Sequence, residues 1–285
     1  MPGKIIDLHA HTTISDGSVT PSELVIEAKK AGLSACAITD HDCALGAAEF
    51  MSGCKSEGIE GVPGIELSAE YSGQMHIVGL YIDYNNRIFN EKAERLRCSR
   101  EIRNLEMIEL CCHEGLYITK EELLNIDGVE SLEGVGRPHF AKIFVDKGYV
   151  RDKNEAFEKY LKKGNPCYCP RKLYPPEECI EMIHNAGGIA ILAHPVLVEK
   201  NFDKLYDIVK ELKDKGLDGM ECNYSINDDE FTKGSIELCE KLDLLKSGGS
   251  DFHGENKPGL MLGYGYGNLR VPYEYLEKIK EKVVI

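Results

Sequence analysis

The sequence predicts an α/β protein, a barrel of seven strand–helix units interrupted by a helical insertion. Three observations carry that expectation. Short apolar runs alternate with amphipathic helical patterns at both ends of the chain, the signature of strands joined by crossover helices. Between Tyr84 and about Pro175 the alternation stops and only helical patterns remain. Residues able to hold a metal fall where the apolar runs stop, as they do at the carboxyl ends of barrel strands. The expected division is a barrel built from 1–83 and 176–285, with the insertion at 84–175.

The first strand is the apolar run that begins at Ile5 and ends in His9-Ala10-His11, with Asp16 soon after. Residues two apart on a strand face the same way, so the two imidazoles stand side by side. Thr20-Pro21-Ser22-Glu23 opens a helix: a capping threonine, proline at the first position, glutamate three after the cap. Leu24, Ala28 and Ala31 mark its buried face, and Gly32 ends it. A second strand at 34–39 stops at Asp40-His41-Asp42, and a helix at about 44–57 follows. A third strand near 61–67 delivers Glu66; a fourth at 75–82 carries His76 at its start, as expected if it runs back beside the third.

The insertion opens with a long amphipathic helix from about 90 to 115, apolar at Leu96, Ile102, Leu105, Ile108 and Leu110. Shorter helices are expected at 119–126, 138–147 and 152–163. Alternation resumes where Pro175-Pro176-Glu177-Glu178 starts a helix that Gly187-Gly188 closes. A strand at 189–193 ends in His194-Pro195, and a helix at 202–215 stops at Gly216. The sixth strand, 218–222, precedes a helix at 228–242; the seventh, 244–247, leads to Gly249-Ser250-Asp251-Phe252-His253. A helix at 272–282 closes the chain.

Composition narrows the class. A net charge of −14 argues against sliding along nucleic acid, and no DNA-binding motif is present. Charge is balanced between Tyr84 and Ile180, so the acidic excess belongs to the barrel part. No apolar run approaches the ~20 residues of a membrane helix. Met1-Pro2-Gly3-Lys4 leads into a strand rather than a signal peptide, so a cytoplasmic location is expected. The 11 cysteines are odd in number and scattered, several inside apolar runs (Cys36, Cys111, Cys239), which reads as reduced thiols acting as small hydrophobes. Cys167-Tyr168-Cys169 lacks the second pair that a metal clip needs. Nothing in the sequence specifies an oligomeric state.

His9, His11, Asp40, His41, Glu66, His194, Asp251 and His253 all fall at expected strand ends. His113 and His184 fall on helix surfaces, where structural or solvent-exposed roles are expected. Imidazole and carboxylate without thiolate suit Mn2+, Fe2+ or Zn2+. Asp40 and Asp42 read as carboxylates that orient His41 and its neighbours rather than as ligands.

The chain resembles the PHP (polymerase and histidinol phosphatase) superfamily over its whole length. The resemblance rests on His9-Ala10-His11, ITDHD at 38–42, GIELS around Glu66, AHP at His194 and GSDFH around Asp251; GRPHFA at 136–141 resembles one branch. It implies a distorted (β/α)7 barrel holding three divalent metal ions, Mn2+ first, with Zn2+ or Fe2+ as alternatives. One ion would take His9, His11, Glu66 and Asp251. A second would share Glu66 and take His76 and His194, and a third would take Asp16, His41 and His253. A shared carboxylate holds two cations ~3.5–4 Å apart, and water between them is acidified towards neutrality and becomes the nucleophile.

Characterised members of the family include a nucleoside 3′,5′-bisphosphate phosphatase, a 5′→3′ exoribonuclease and cyclic-phosphate hydrolases. The implied reaction is hydrolysis of a small nucleotide-like phosphate ester. Arg137, His139 and Asp251 are expected to carry it, and Arg137 and His139 also to bind substrate. The Arg137 guanidinium offers a planar fork, and Pro138 begins a helix whose N-terminus favours anions. A metal-bound water or His139 protonates the leaving oxygen. Arg171 and Lys172 are further candidates for phosphate, as is Lys257, while Tyr224 and Phe252 either stack on a base or simply pack. The alternatives are trimming of short RNA from its 5′ end and a non-catalytic, metal-stabilised phospholigand module. Histidinol phosphatase is a neighbouring possibility from which the GRPHFA stretch points away.

Overall fold

β1 (Ile5–Asp7), α1 (Pro21–Lys30), β2 (Ala35–Ile38), α2 (Ala47–Glu57) and β3 (Glu60–Ser68) alternate as the apolar pattern requires, and β4 (His76–Leu80) folds straight back on β3. This computed structural model describes residues 4–126, 129 and 131–283. The chain divides into two units, Met1–Glu94 with Tyr174–Ile285 and Arg95–Leu173. α3 (Arg87–His113) starts in the first and ends in the second. Its first turns bury Phe89 and Ala93, and Lys92 pairs with Glu178 at 3.1 Å, so residues 84–94, expected in the insertion, group with the barrel.

The second unit continues with α4 (Lys120–Leu124), α5 (Arg137–Asp146) and α6 (Lys153–Ala156), which runs on as a π-helical turn, Phe157–Leu161. No strand occurs among its described residues. Thr119 caps α4 through the reciprocal bond with Glu122, and a core of Met107, Cys111, Leu123, Phe140, Phe144 and Leu161 holds the helices together. The buried Asn104 amide donates to the carbonyls of Leu132 (2.7 Å) and Val135 (2.9 Å), fixing the turn in front of Arg137.

The first unit resumes with α7 (Pro176–Asn185), β5 (Ile189–Leu192), α8 (Pro195–Val198), α9 (Phe202–Asp214), β6 (Gly219–Tyr224), α10 (Asp229–Lys241), β7 (Leu245–Gly249), β8 (Val271–Pro272) and α11 (Tyr273–Lys282). The strands form one sheet in the order β7-β6-β5-β4-β3-β2-β1-β8. Pairing is parallel except on both sides of β4 and between β1 and β8. Beyond β1 the extended chain meets the end of β7: Leu8 N–H donates to the Gly248 carbonyl at 3.1 Å, and Ala10 bridges Phe252 in parallel. The result is a nearly closed barrel with helices around it. A Cβ on Gly249 would lie 2.4 Å from His9 Cβ, so closure at this point requires glycine. The seven expected strands are all present; the eighth has two residues, too few to leave a periodic signal.

Candidate metal centre and active site

Five of the parallel strands, β1, β2, β3, β5 and β7, deliver polar residues at or just past their carboxyl ends. His9 and His11 lie just past β1, where the bridge at Ala10 keeps the chain extended and the two rings on one side. Ser68 pairs with His76 and Glu66 with Val78, so Glu66 and His76 share a face on diagonal positions of the β3–β4 hairpin. His41 follows β2, His194 follows β5, and Asp251 and His253 follow β7. Asp16 comes from the loop after β1.

Glu66 lies at the centre and is 1% exposed, which leaves its carboxylate no solvent partner. Its Oε1 is 2.7 Å from His76 Nδ1 and 2.9 Å from His194 Nε2. Its Oε2 is 3.2 Å from Nε2 of both His9 and His11 and 3.0 Å from His41 Nδ1. Asp251 Oδ1 lies 3.2 Å from His11 Nε2 and 3.8 Å from His9 Nε2. Asp16 reaches His253 Nε2 at 3.2 Å and His41 Nε2 at 3.7 Å. The donor atoms thus form two groups on opposite oxygens of Glu66 and a third around Asp16.

These residues fit divalent cations. His9 Nε2, both nitrogens of His11, His41 Nδ1, His194 Nδ1 and Glu66 Oε2 are buried without a hydrogen-bond partner. Each such atom costs about 1–3 kcal/mol unless something ligates it. Three sets gather at ligand spacing: His11, Asp16, His41 and His253; His9, His11 and Asp251; His41, Glu66 and His76. Electrostatics points the same way. Burial works to raise the Glu66 carboxyl, but His41, His76 and His9 outweigh it and hold it well below the carboxylate range. Burial is likewise overridden at Asp251 and Asp16, chiefly by His253. Burial presses His11 down, yet Asp251 and Glu66 lift it to about 9. His41 is driven well below its ordinary value by burial, helped by His11 and His76, despite Glu66 and Asp16. The carboxylates call for positive charge that neighbouring imidazoles supply only against one another.

The supporting shell is largely what the sequence hides. Asp40 accepts from Thr12 N–H, Thr12 Oγ1 and Ser15 Oγ, each at 2.7 Å, so among the residues around His41 it fixes the loop carrying His11 and Asp16. Asp42 accepts from the Ser68 N–H (2.8 Å) and hydroxyl (3.0 Å), tying the end of β2 to the end of β3. Tyr224 Oη and Lys257 Nζ donate to Asp251 Oδ2 at 2.8 and 2.6 Å, leaving Oδ1 to face the imidazoles. Phe252 packs among Ala10, Leu24 and Leu262. His253 Nδ1–H donates to the Asp251 carbonyl at 2.8 Å, which turns Nε2 towards Asp16. Asp42, His194 and Asp251 all have positive φ (51°, 29° and 58°), strain of about 1–3 kcal/mol apiece that accumulates at functional sites. Asp7 and Glu221, buried acids in apolar strands, were the legible signal of this shell that sequence reasoning passed over.

Arg137, His139, Arg171 and Lys172 belong to the helical unit. Arg137 opens α5, donates to the Leu161 carbonyl at 3.4 Å and lies over the Tyr168 ring at 5.7 Å. His139 Nδ1 accepts from Gly136 N–H at 2.9 Å. Arg171 donates to the Leu96 carbonyl at 2.9 Å, and Lys172 is exposed. Arg103, unremarked in the sequence, is buried with Nε unpartnered. Burial and the adjacent charges of Arg100, Arg171 and Arg137 lower it to about 9.

An α/β barrel that gathers imidazoles and carboxylates at one end of its strands has a donor set suited to divalent metal at the end where barrel active sites form. The PHP domain family matches residues 7–165, and the chain belongs to that family and is a hydrolase of phosphate esters. It is 31% identical over 268 residues to a 3′,5′-nucleoside bisphosphate phosphatase of Chromobacterium violaceum, covering 91% of this chain and 90% of that protein. It is 33% identical over 254 residues to a 5′-3′ exoribonuclease of Haemophilus influenzae, covering 88% and 90%. The structure of a metal-dependent phosphoesterase from Bifidobacterium adolescentis superposes with a TM-score of 0.81 at 28% identity, over 100% of this chain and 98% of that one.

Proposed function

We propose that this chain hydrolyses a phosphate ester of a nucleoside 3′,5′-bisphosphate or a cyclic nucleotide-like phosphate, using three divalent ions. The observation that carries the reading is Glu66, whose Oε1 faces His76 and His194 while its Oε2 faces His9, His11 and His41. One ion would sit on His9, His11, Asp251 and Glu66 Oε2, a second on Glu66 Oε1, His76 and His194, and a third on Asp16, His41 and His253. Bound there, such ions supply Lewis acidity and an acidified water. The remaining work falls to the chain. With Nδ1 accepting from Gly136, His139 carries a proton on Nε2, from which it would donate a hydrogen bond to a phosphate oxygen. Arg137 would take the phosphate that is not cleaved, with Arg171 and Lys172 as further candidate contacts; the buried Arg103 adds to the positive charge around Arg137 and Arg171.

The likeness to an exoribonuclease favours short RNA as the second reading, since its 5′ end also presents a phosphate beside a scissile ester. The test is elemental analysis of protein prepared without chelator, followed by a turnover screen with Mn2+. The expected outcome is close to three ions per chain and fastest hydrolysis of 3′,5′-bisphosphates. One ion or none in a folded chain overturns the three-ion site, and faster turnover of short RNA transfers the assignment to the second reading.

A further inference from the structure

Glu221 was not among the expected site residues, yet its carboxylate touches two of the proposed ligands at once. It sits on β6, buried, with its neighbours Met220 and Cys222 in the core. Oε1 lies 2.9 Å from His9 Nδ1, and Oε2 accepts the His194 backbone N–H at 2.5 Å. These two histidines face opposite oxygens of Glu66. An acceptor on Nδ1 keeps the proton there and leaves the His9 Nε2 lone pair directed at Glu66 and Asp251. An acceptor on the His194 N–H helps to hold a backbone at φ 29°, ψ 63°, a conformation uncommon for a non-glycine residue.

We infer that Glu221 is a positioning residue that sets the tautomer of His9 and the backbone of His194 together, so that one carboxylate prepares both sides of Glu66 for metal. The inference rests on the metal reading above and adds a residue that touches neither ion nor substrate. A carboxylate is needed because both contacts require an acceptor. In Glu221→Gln the amide nitrogen must face either His9 Nδ1, pushing the ring proton to Nε2, or the His194 N–H, donor against donor.

The test is metal affinity, measured for the full chain by competition for Mn2+ against a chelating indicator, with circular dichroism on each metal-free protein. Glu221→Gln is expected to keep its fold and bind Mn2+ about 10–100-fold more weakly, the usual cost of losing a group that orients a ligand. Glu221→Asp keeps two acceptors but is one methylene short, so it should recover part of that loss; it also decides the matter if the glutamine variant fails to fold. Wild type and both variants binding Mn2+ equally tightly would overturn the role of Glu221 and leave the metal centre standing. A wild-type chain that binds no Mn2+ would overturn both.

Discussion

The two units bury charge in opposite ways. In the barrel, buried imidazoles and carboxylates interleave around Glu66, and several of their ring nitrogens lack partners. In the helical unit the buried charge among the described residues is of one sign: Arg103, pressed by burial and by Arg100, Arg171 and Arg137. Mixed donors with orphaned lone pairs want cations, whereas neighbouring guanidinium groups repel them. The contrast yields separable consequences for variants in each unit.

The largest expected effect lies in the barrel. His9→Ala and Asp251→Asn each remove a proposed ligand, while the apolar clusters around β1 and the outer helices remain intact. Lewis-acid stabilisation contributes several kcal/mol, and each 1.36 kcal/mol is tenfold, so kcat/KM should fall about a thousandfold or more. Metal content should fall with it, while circular dichroism stays that of the wild type. Full metal content with full activity in either variant would break the contrast at its stronger end.

A smaller effect is expected from Arg137→Ala. A charge-assisted hydrogen bond contributes about 1.5–3 kcal/mol, so kcat/KM on a nucleoside 3′,5′-bisphosphate should drop about ten- to a hundredfold. An aryl monophosphate, with no second phosphate, should lose much less, and metal content should not change. Assaying both substrates in parallel sharpens the comparison. Equal losses would place Arg137 at the reacting phosphorus and remove the division of labour.

Legibility follows the same line. Residues that end strands were readable because a change from apolar to polar at a strand end has a fixed spatial meaning: His9, His11, His41, His194 and His253 all come to one end of the barrel. The reversal of β4 was readable from His76 alone. Acids inside apolar strands, Asp7 and Glu221, could be noticed, but the distant partners they hold could not. Glu221 contacts residues 212 and 27 positions away, and Asp7 holds the amides of Ser250 and Gly263; no local periodicity records such partners. Arg103 looked like any charged residue on a long helix, because burial of its face depends on the turn that Asn104 anchors.

The smallest expected effect tests the other end of the barrel. Asp218, at the start of β6, accepts from His184 Nε2 (2.7 Å), from the Ala190 N–H (2.8 Å) and from Lys282 Nζ (2.8 Å). Burial works to raise its carboxyl, but His184, Lys282 and the Ala190 amide prevail and hold it below its ordinary value. A depressed carboxylate contributes stability that is present above the unfolded pKa, about 3.9, and lost as pH falls through the folded one. His184→Ala removes one of three partners from a pair whose imidazole is partly exposed, so it should cost about 1 kcal/mol at neutral pH. It touches no proposed ligand, and kcat/KM should stay within about twofold of wild type, as expected of a surface substitution away from the chemistry. Urea unfolding of metal-free wild type and variant from pH 7 downwards reads the sign: the gap between them should hold at neutral pH and shrink as Asp218 takes up its proton. A gap that widens in acid would mean that Asp218 is not the partner His184 serves, and a large loss of turnover would tie this end of β6 to the site through Glu221.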